Sequence, residues 1–507
     1  MFKGAIVGGD NHPLADPRQA RKLIAELPAY DYLTALDEIT GWLESLIQVD
    51  EFRLDRLFEL ADLLDAAANS HHKRLVREYL ATTRQQKFQE VNLWTRGFDF
   101  SSALSNVYVS CVAGHQSRAA GAAALKKHLP VVIARALRSL GQQLKWTMLR
   151  YGPFDARLWN AVGKLYGSAQ ASGIAEVSLP MHRGAKGGGT IRQEYLKILM
   201  LYSSGADVLP PLKQELAERV VAYFAPLFEV ANAPFPGALY CFDAAGGRPP
   251  ARVQADDAPA TSPSFFGPGD APVRIAKLIA VVARTGVVPA PLNLGPHYSA
   301  DTVVGLLRHL AAYWADTAPT RAFPPRPTTA RINVAPGFAA LLDELERDEM
   351  NALNFTASNT ESWVVENVSD GGYGAVVPAS QMDWIRVGEI MGVQVEGGKQ
   401  WGIGLVSRVA RDEQQQVHVE IDIISPRVVE VRISQPGDSG SESAILLSGT
   451  PDANGEIGLV TRAGRFDPNC NIEVNGRTKS YVFVPCRLID SGDDFDWAMF
   501  KIDRNPA

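Results

Sequence analysis

Asn367, Ser369, Gly371 and Gly372 stand together in the string NVSDGG, which offers an amide, a hydroxyl and two positions without side chains. Amide and hydroxyl each donate and accept, and glycine lets backbone come close, so such a loop can hydrogen-bond the polar edge of a flat heterocycle such as a purine. The same residues also suit a plain β-turn whose Asn and Ser side chains bond their own backbone. The string alone leaves both uses open.

Other strings suggest chemistry but lack its companions. Gly437-Asp438-Ser439-Gly440 matches the sequence around the nucleophile of chymotrypsin-like proteases, a rival reading as a hydrolase. That chemistry needs a histidine base and an orienting carboxylate. The region's histidine, His418, lies only 21 residues upstream (439 − 418), on a strand pattern that turns it to solvent, so a turn between two β modules is expected. His182-Arg183-Gly-Ala-Lys186-Gly-Gly-Gly189-Thr190 is basic and glycine-rich ahead of a helical pattern, a geometry that can collect phosphate on backbone N–H groups. Its lysine precedes the glycines and no apolar strand leads into it, so it reads as an inter-helix loop. His71 and His72 have Leu75 and Val76 four positions on, and His115 and His128 are isolated, so no metal site is expected. Gly8-Gly9-Asp10 is half of the GGDEF signature of cyclic-dinucleotide synthases, without its Glu-Phe half.

The elements that must position these residues fall into two regimes. From about residue 17 to 230 the apolar spacing is helical: Leu36, Ile39, Leu43 and Leu46 form one stripe, and Leu54, Leu57, Phe58, Ala61 and Leu64 the next, with Asp50 available as an N-cap between them. Further helices are expected around 72–90, 103–127, 129–150, 155–172, 190–203 and 211–230. The stretch 245–272 is rich in proline and glycine and reads as a linker or exposed loop, followed by the helical patterns VRIAKLIAVVART and ADTVVGLLRHLAAYWAD. After residue 328 the period shortens toward two, with Val417, Val419, Ile421 and Ile423 alternating with His418, Glu420 and Asp422. The expected fold class is multidomain α+β. Its parts are an α-helical bundle or superhelix over 1–235, a Pro-rich loop with connecting helices over 236–317, an antiparallel β-barrel over 318–436 and a second small β module over 437–507.

Composition narrows the function classes. The 507 residues are 46% hydrophobic and 21% charged, which excludes a wholly disordered chain. Fifty Lys and Arg against 56 Asp and Glu give a charge of −6, so no counterion-release drive toward DNA or RNA is expected. Cys111, Cys241, Cys470 and Cys486 are far apart and form no CxxC pair, the pattern of reduced thiols. The first residues are too weakly apolar for a signal peptide and no window suits a membrane span, so a soluble, cytoplasmic protein is expected.

The stretch WVVENVSDGGYGAVVPASQMDWIRVGEIMGVQV with WGIGLVSRVARDEQQQVHVEIDIIS resembles the PilZ domain, over about residues 328–436. Asn367-Val-Ser369-Asp-Gly-Gly372 fits that family's [D/N]-x-S-x-x-G motif, and the helical first half followed by such a region is similar to large proteobacterial proteins with divergent PilZ-like C-termini. The resemblance implies a small β-barrel, no enzymatic activity, no cofactor, and cyclic di-GMP as ligand, with Asn367 and Ser369 on the base and Gly371 and Gly372 in the turn. The family's R-x-x-x-R pair, which forks onto phosphate and guanine, is missing: Arg321, Arg326 and Arg331 are spaced by five. Arg326 and Arg331 are then the expected cationic donors, with Arg408 a third. Divergent members act as adaptors without the nucleotide, so the alternative is a scaffold that binds only a protein partner, through the helical half.

Overall fold

The computed structural model describes residues 12–48, 52–83, 86–180, 188–254, 262–294, 298–319, 323–349, 359–377, 384–435, 440–447, 450–475 and 480–503. The chain divides into two compact units near residue 320.

The first unit is mainly helical: α1 (Pro17–Ala25), α2 (Tyr32–Gln48), α3 (Leu54–Leu80), α4 (Lys87–Gln116), α5 (Ala122–Leu125), α6 (Leu129–Met148), α7 (Ala156–Ala171), α8 (Ile191–Ser203) and α9 (Pro211–Phe224). Both expected stripes are buried, Leu36, Ile39, Leu43 and Leu46 on α2 and Leu54, Leu57, Phe58, Ala61 and Leu64 on α3. The helix expected over 72–90 is instead the end of α3, which stops at Leu80, and the start of α4, which begins at Lys87. Asp50 lies outside the described residues, and α3 begins after Arg53 with no side-chain cap. Helix α4 packs on α2, α3 and α6. Gly97 permits the close approach of α6, because a Cβ there would run into the buried Trp146 ring.

The Pro-rich stretch departs from expectation. A four-stranded sheet forms in the order β3 (Glu229–Ala231), β6 (Pro263–Gly267), β4 (Tyr240–Asp243), β5 (Ala251–Arg252), and a short hairpin joins β1 (Leu179–Pro180) to β2 (Gly188–Gly189). Pro263 is tolerated in a central strand because it stands at the first position, where the missing N–H matters least. The two expected helices follow as α10 (Ala271–Thr285) and α11 (Ala300–Tyr313).

This unit buries charge. The Lys145 ammonium, 5% exposed, bonds Glu215 and lies 2.6 Å from Glu218, while Arg219 holds Glu215 at 2.8 Å. Burial resists ionisation of Glu215, but Lys145 and Arg219 outweigh it and hold its carboxyl at about 2. His72 packs its ring 5.4 Å from Phe100 and 6.2 Å from Trp146. Burial, then Lys145 and Arg138, push His72 down to about 3 against the pull of Glu215. A histidine that resists protonation only when folded makes stability fall as pH drops below about 6.5, the loss continuing down to the folded value. From pH 7.5 to pH 5 His72 should therefore cost the fold up to about 2 kcal/mol. Thermal unfolding of His72→Phe should show a smaller drop over that interval, and an unchanged drop would assign the effect elsewhere.

The second unit carries two closed antiparallel rings. The first takes β8 (Arg331–Pro336), β9 (Glu361–Ser369), β10 (Gly372–Val377), β11 (Ile390–Val395), β12 (Gly402–Arg411) and β13 (Val417–Ser425) in the order β8-β9-β10-β13-β12-β11, with β7 (Arg326–Pro327) added along β9. The second takes β14 (Val429–Ser434), β15 (Glu442–Leu446), β16 (Glu456–Arg462), β17 (Ile472–Asn475), β18 (Ser480–Ser491) and β19 (Phe495–Asp503) in the order β14-β15-β16-β19-β18-β17. Ranked along the chain, both orders read first, second, third, sixth, fifth, fourth, so the second module repeats the topology of the first. Because β14 belongs to the second ring, the boundary expected at 436/437 moves to between Ser425 and Val429.

Alternation explains the first ring: Val417, Val419 and Ile421 are buried while His418, Glu420 and Asp422 face outward. Glu361 ties its end together by accepting from the Trp363 indole at 2.9 Å and the Trp384 indole at 2.8 Å. A helix interrupts the expected all-β region, α12 (Gly337–Glu349), with Phe338, Leu341, Leu342 and Leu345 at helical spacing. It fills the seam between the rings, sharing one core with Ile390, Trp401 and Ile403 of the first and Val428, Ile445 and Phe495 of the second. Closure leaves few free strand edges.

Candidate ligand site on the first barrel

The NVSDGG string forms the β9–β10 hairpin, with Asp370 and Gly371 as the two-residue turn and Ser369 paired with Gly372. Neither glycine is there for a left-handed backbone. Gly372 is needed for space, since a Cβ would strike the Ile421 carbonyl on β13. Gly374 is needed likewise, because the Asn367 side chain lies over it.

Two β-bulges shape the outer face beside this turn. On β9, Val365 pairs with Ala375 and Asn367 with Gly374, leaving Glu366 as the additional residue. On β12, Val406 pairs with Ile421 and Arg408 with Glu420, leaving Ser407 as the additional residue. Bulges re-aim side chains. The result is a cross-strand row, Asn367, Gly374, Glu420 and Arg408, directly opposite one another over four strands. Three inter-strand steps separate the backbones of Asn367 and Arg408 by about 14 Å.

Strand β7 carries a cation at this turn. Arg326 pairs with Val368 and Pro327 with Asn367, and the Arg326 guanidinium donates to Asp370 at 2.6 Å. The half-exposed Phe323 ring lies over Gly371, where a Cβ would meet it at 2.9 Å. Arg331 does not join them. It pairs with Val364, four residues along β9 from Val368, and its Nε donates to Ser362 at 3.1 Å. Four strand residues are about 13 Å, so the five-residue arginine spacing spreads the two guanidinium groups along β9. The structure thus brings Arg326 to the Asp370–Gly371 turn on the face of Val368, sets Asn367 and Arg408 in one row on the opposite face with Ser369 paired to Gly372 beside it, and removes Arg331.

The electrostatics of this face are mixed. Arg326 and Asp370 are 69% and 70% exposed, and an exposed pair of that kind contributes about 0–1 kcal/mol, so Arg326 can exchange Asp370 for another anion at little cost. Arg408 sits 3.7 Å from Glu420, and Asp422 accepts from Ser407 at 3.0 Å. Asp370, Glu420 and Asp422 therefore oppose a second negative charge arriving here. His418 is bonded to Glu366 at 3.1 Å and Asp412 at 3.4 Å; desolvation lowers its pKa, but these two carboxylates raise it overall. That commits it to outer-face partners, away from any role as a protease base. Sequence reasoning missed Phe323, Asp370 as the partner of Arg326, and the two bulges. The first sits in a proline cluster, and a bulge has no signature in alternation alone.

The remaining motifs resolve as follows. Thr190 caps α8 in a capping box with Gln193, which occupies the helix N-terminus that the glycine-rich stretch was read against, while His182, Arg183 and Lys186 lie outside the described residues. So do Gly437, Asp438 and Ser439, and Gly8 to Asp10. Among the described residues no cluster of three or more His, Cys, Asp or Glu could hold a metal, no helix is long and apolar enough to cross a membrane, and none of the four cysteines forms a disulfide.

No curated protein and no solved structure matches the chain. Residues 18–234, which run from α1 through α9, match the family described as the N-terminal domain of the cyclic-di-GMP receptor FimW.

Proposed function

We propose that the chain is a non-catalytic receptor for cyclic di-GMP that holds the nucleotide at the β9–β10 hairpin of the first barrel. The observation that carries this reading is Arg326, delivered by β7 to the turn of the NVSDGG hairpin, where its loose bond to Asp370 can give way to a phosphate. Asn367 and Ser369 supply base-edge partners, and Phe323 supplies a face on which a guanine can stack. The likeness of residues 18–234 to a cyclic-di-GMP receptor domain supports the same role from the other half of the chain.

With one loosely held arginine and three nearby carboxylates, affinity should be modest and salt-sensitive. Calorimetry of the full chain with cyclic di-GMP should give saturable heat, Arg326→Ala should weaken binding about tenfold or more, and Glu420→Gln should strengthen it. No heat at millimolar nucleotide would leave the adaptor reading, in which the helical unit engages a protein partner.

A further inference from the structure

A second candidate site lies wholly within the helical unit, independent of the barrel reading. A cleft of about 930 Å³ opens between α3, α4, α6, α8 and α9, within the volume range of small-molecule sites. Its acidic lining is already matched by cations. Asp65 pairs with Arg138, Glu194 with Lys197, Glu215 with Lys145 and Arg219, and Glu218 with Lys145.

Two lining cations are left over. Lys73 and Arg77 have no carboxylate within ion-pair distance among the described residues, and both are exposed on the cleft wall. They stand one helical turn apart on α3, where like charges destabilise a helix by a few tenths of a kcal/mol. An arrangement that costs helix stability and leaves two positive charges at the rim of a cavity suits a dianion. The wall beside them is apolar, with Val76, Leu80, Phe100 and Leu104, and the buried Nε2 of His72 has no hydrogen-bond partner among the described residues.

We propose that this cleft binds an organic phosphate of about mononucleotide size, its phosphate between Lys73 and Arg77 and its apolar or aromatic body against Phe100 and Leu104. A phosphomonoester carries close to two negative charges at neutral pH, which equals the excess on the wall. The helical unit is then a ligand-sensing part in its own right.

The probe is methylanthraniloyl-GMP, a phosphomonoester with a fluorescent aromatic body, titrated into the full chain at physiological salt. A saturable fluorescence rise is expected, weakened about tenfold by Lys73→Ala or by Arg77→Ala and lost in the double variant. Both replacements are exposed and put a strong helix former on α3, and an unchanged circular dichroism spectrum and thermal midpoint establish that the variants fold. Absence of a signal at millimolar probe, or a titration that the double variant leaves unaltered, overturns the proposal.

Discussion

Lys145→Ala should lower the stability of the helical unit by about 3–5 kcal/mol. The ammonium is largely buried between α6 and α9, where Glu215 is 7% exposed and Glu218 stands 2.6 Å away. Removing it leaves two carboxylates facing each other with Arg219 as the remaining counter-charge. Glu215, held at about 2 by Lys145 and Arg219, would lose its larger support and take up a proton more readily. In the native protein that depressed carboxyl contributes stability above its unfolded value of about 4.5, lost as pH falls toward 2. The variant should therefore be weaker near neutral pH and less sensitive to acid below pH 4.5. Urea unfolding followed by circular dichroism reads both effects. A loss under about 1 kcal/mol at neutral pH would mean that water, and not the ion pair, satisfies the pocket.

Gly372→Val should be the most damaging single change in the first barrel. The Cβ has nowhere to go, because the obstacle is the Ile421 carbonyl, which is backbone and part of the β10–β13 ladder. A side chain can swing aside and a ladder carbonyl cannot, so the pairing of Gly372 with Asp422 must open, at a cost of about 3 kcal/mol. The hairpin that presents Asn367 and Ser369 would shift with it. Amide exchange on β13 around Asp422 and Ile423 should accelerate strongly, with cyclic di-GMP heat lost in parallel. Unchanged exchange at Ile423, whose N–H bonds the Gly371 carbonyl at 2.8 Å, would show that the barrel absorbs the extra methyl groups elsewhere.

How much of this was legible in the sequence differs by element. The stripes on α2 and α3 were, because burial of one helix face writes a 3.6-residue period directly. The face of β13 was too, since Val417, Val419 and Ile421 alternate with polar neighbours. The second ring could be read only as β, because strand order is decided by long-range pairing that no local pattern encodes. Helix α12 was missed although Phe338, Leu341, Leu342 and Leu345 carry helical spacing, since the surrounding strands set the expectation for the whole region. At the site, the motif marked the hairpin, and Arg326 was within reach of reasoning because β7 precedes β8. Arg331 was not separable from it without the register along β9. The helical cleft had no linear signature at all, because its walls come from helices up to about 150 residues apart in the chain, Asp65 and Glu215 among them (215 − 65).

Hydrogen–deuterium exchange of the full chain with and without cyclic di-GMP reports where the ligand sits. Slower exchange is predicted across Arg326–Pro327 and the β9–β10 hairpin from Glu366 to Gly374, with the second ring unaltered. Protection confined to the helical unit, or none anywhere at saturating nucleotide, would rule out the β9–β10 hairpin as the nucleotide site.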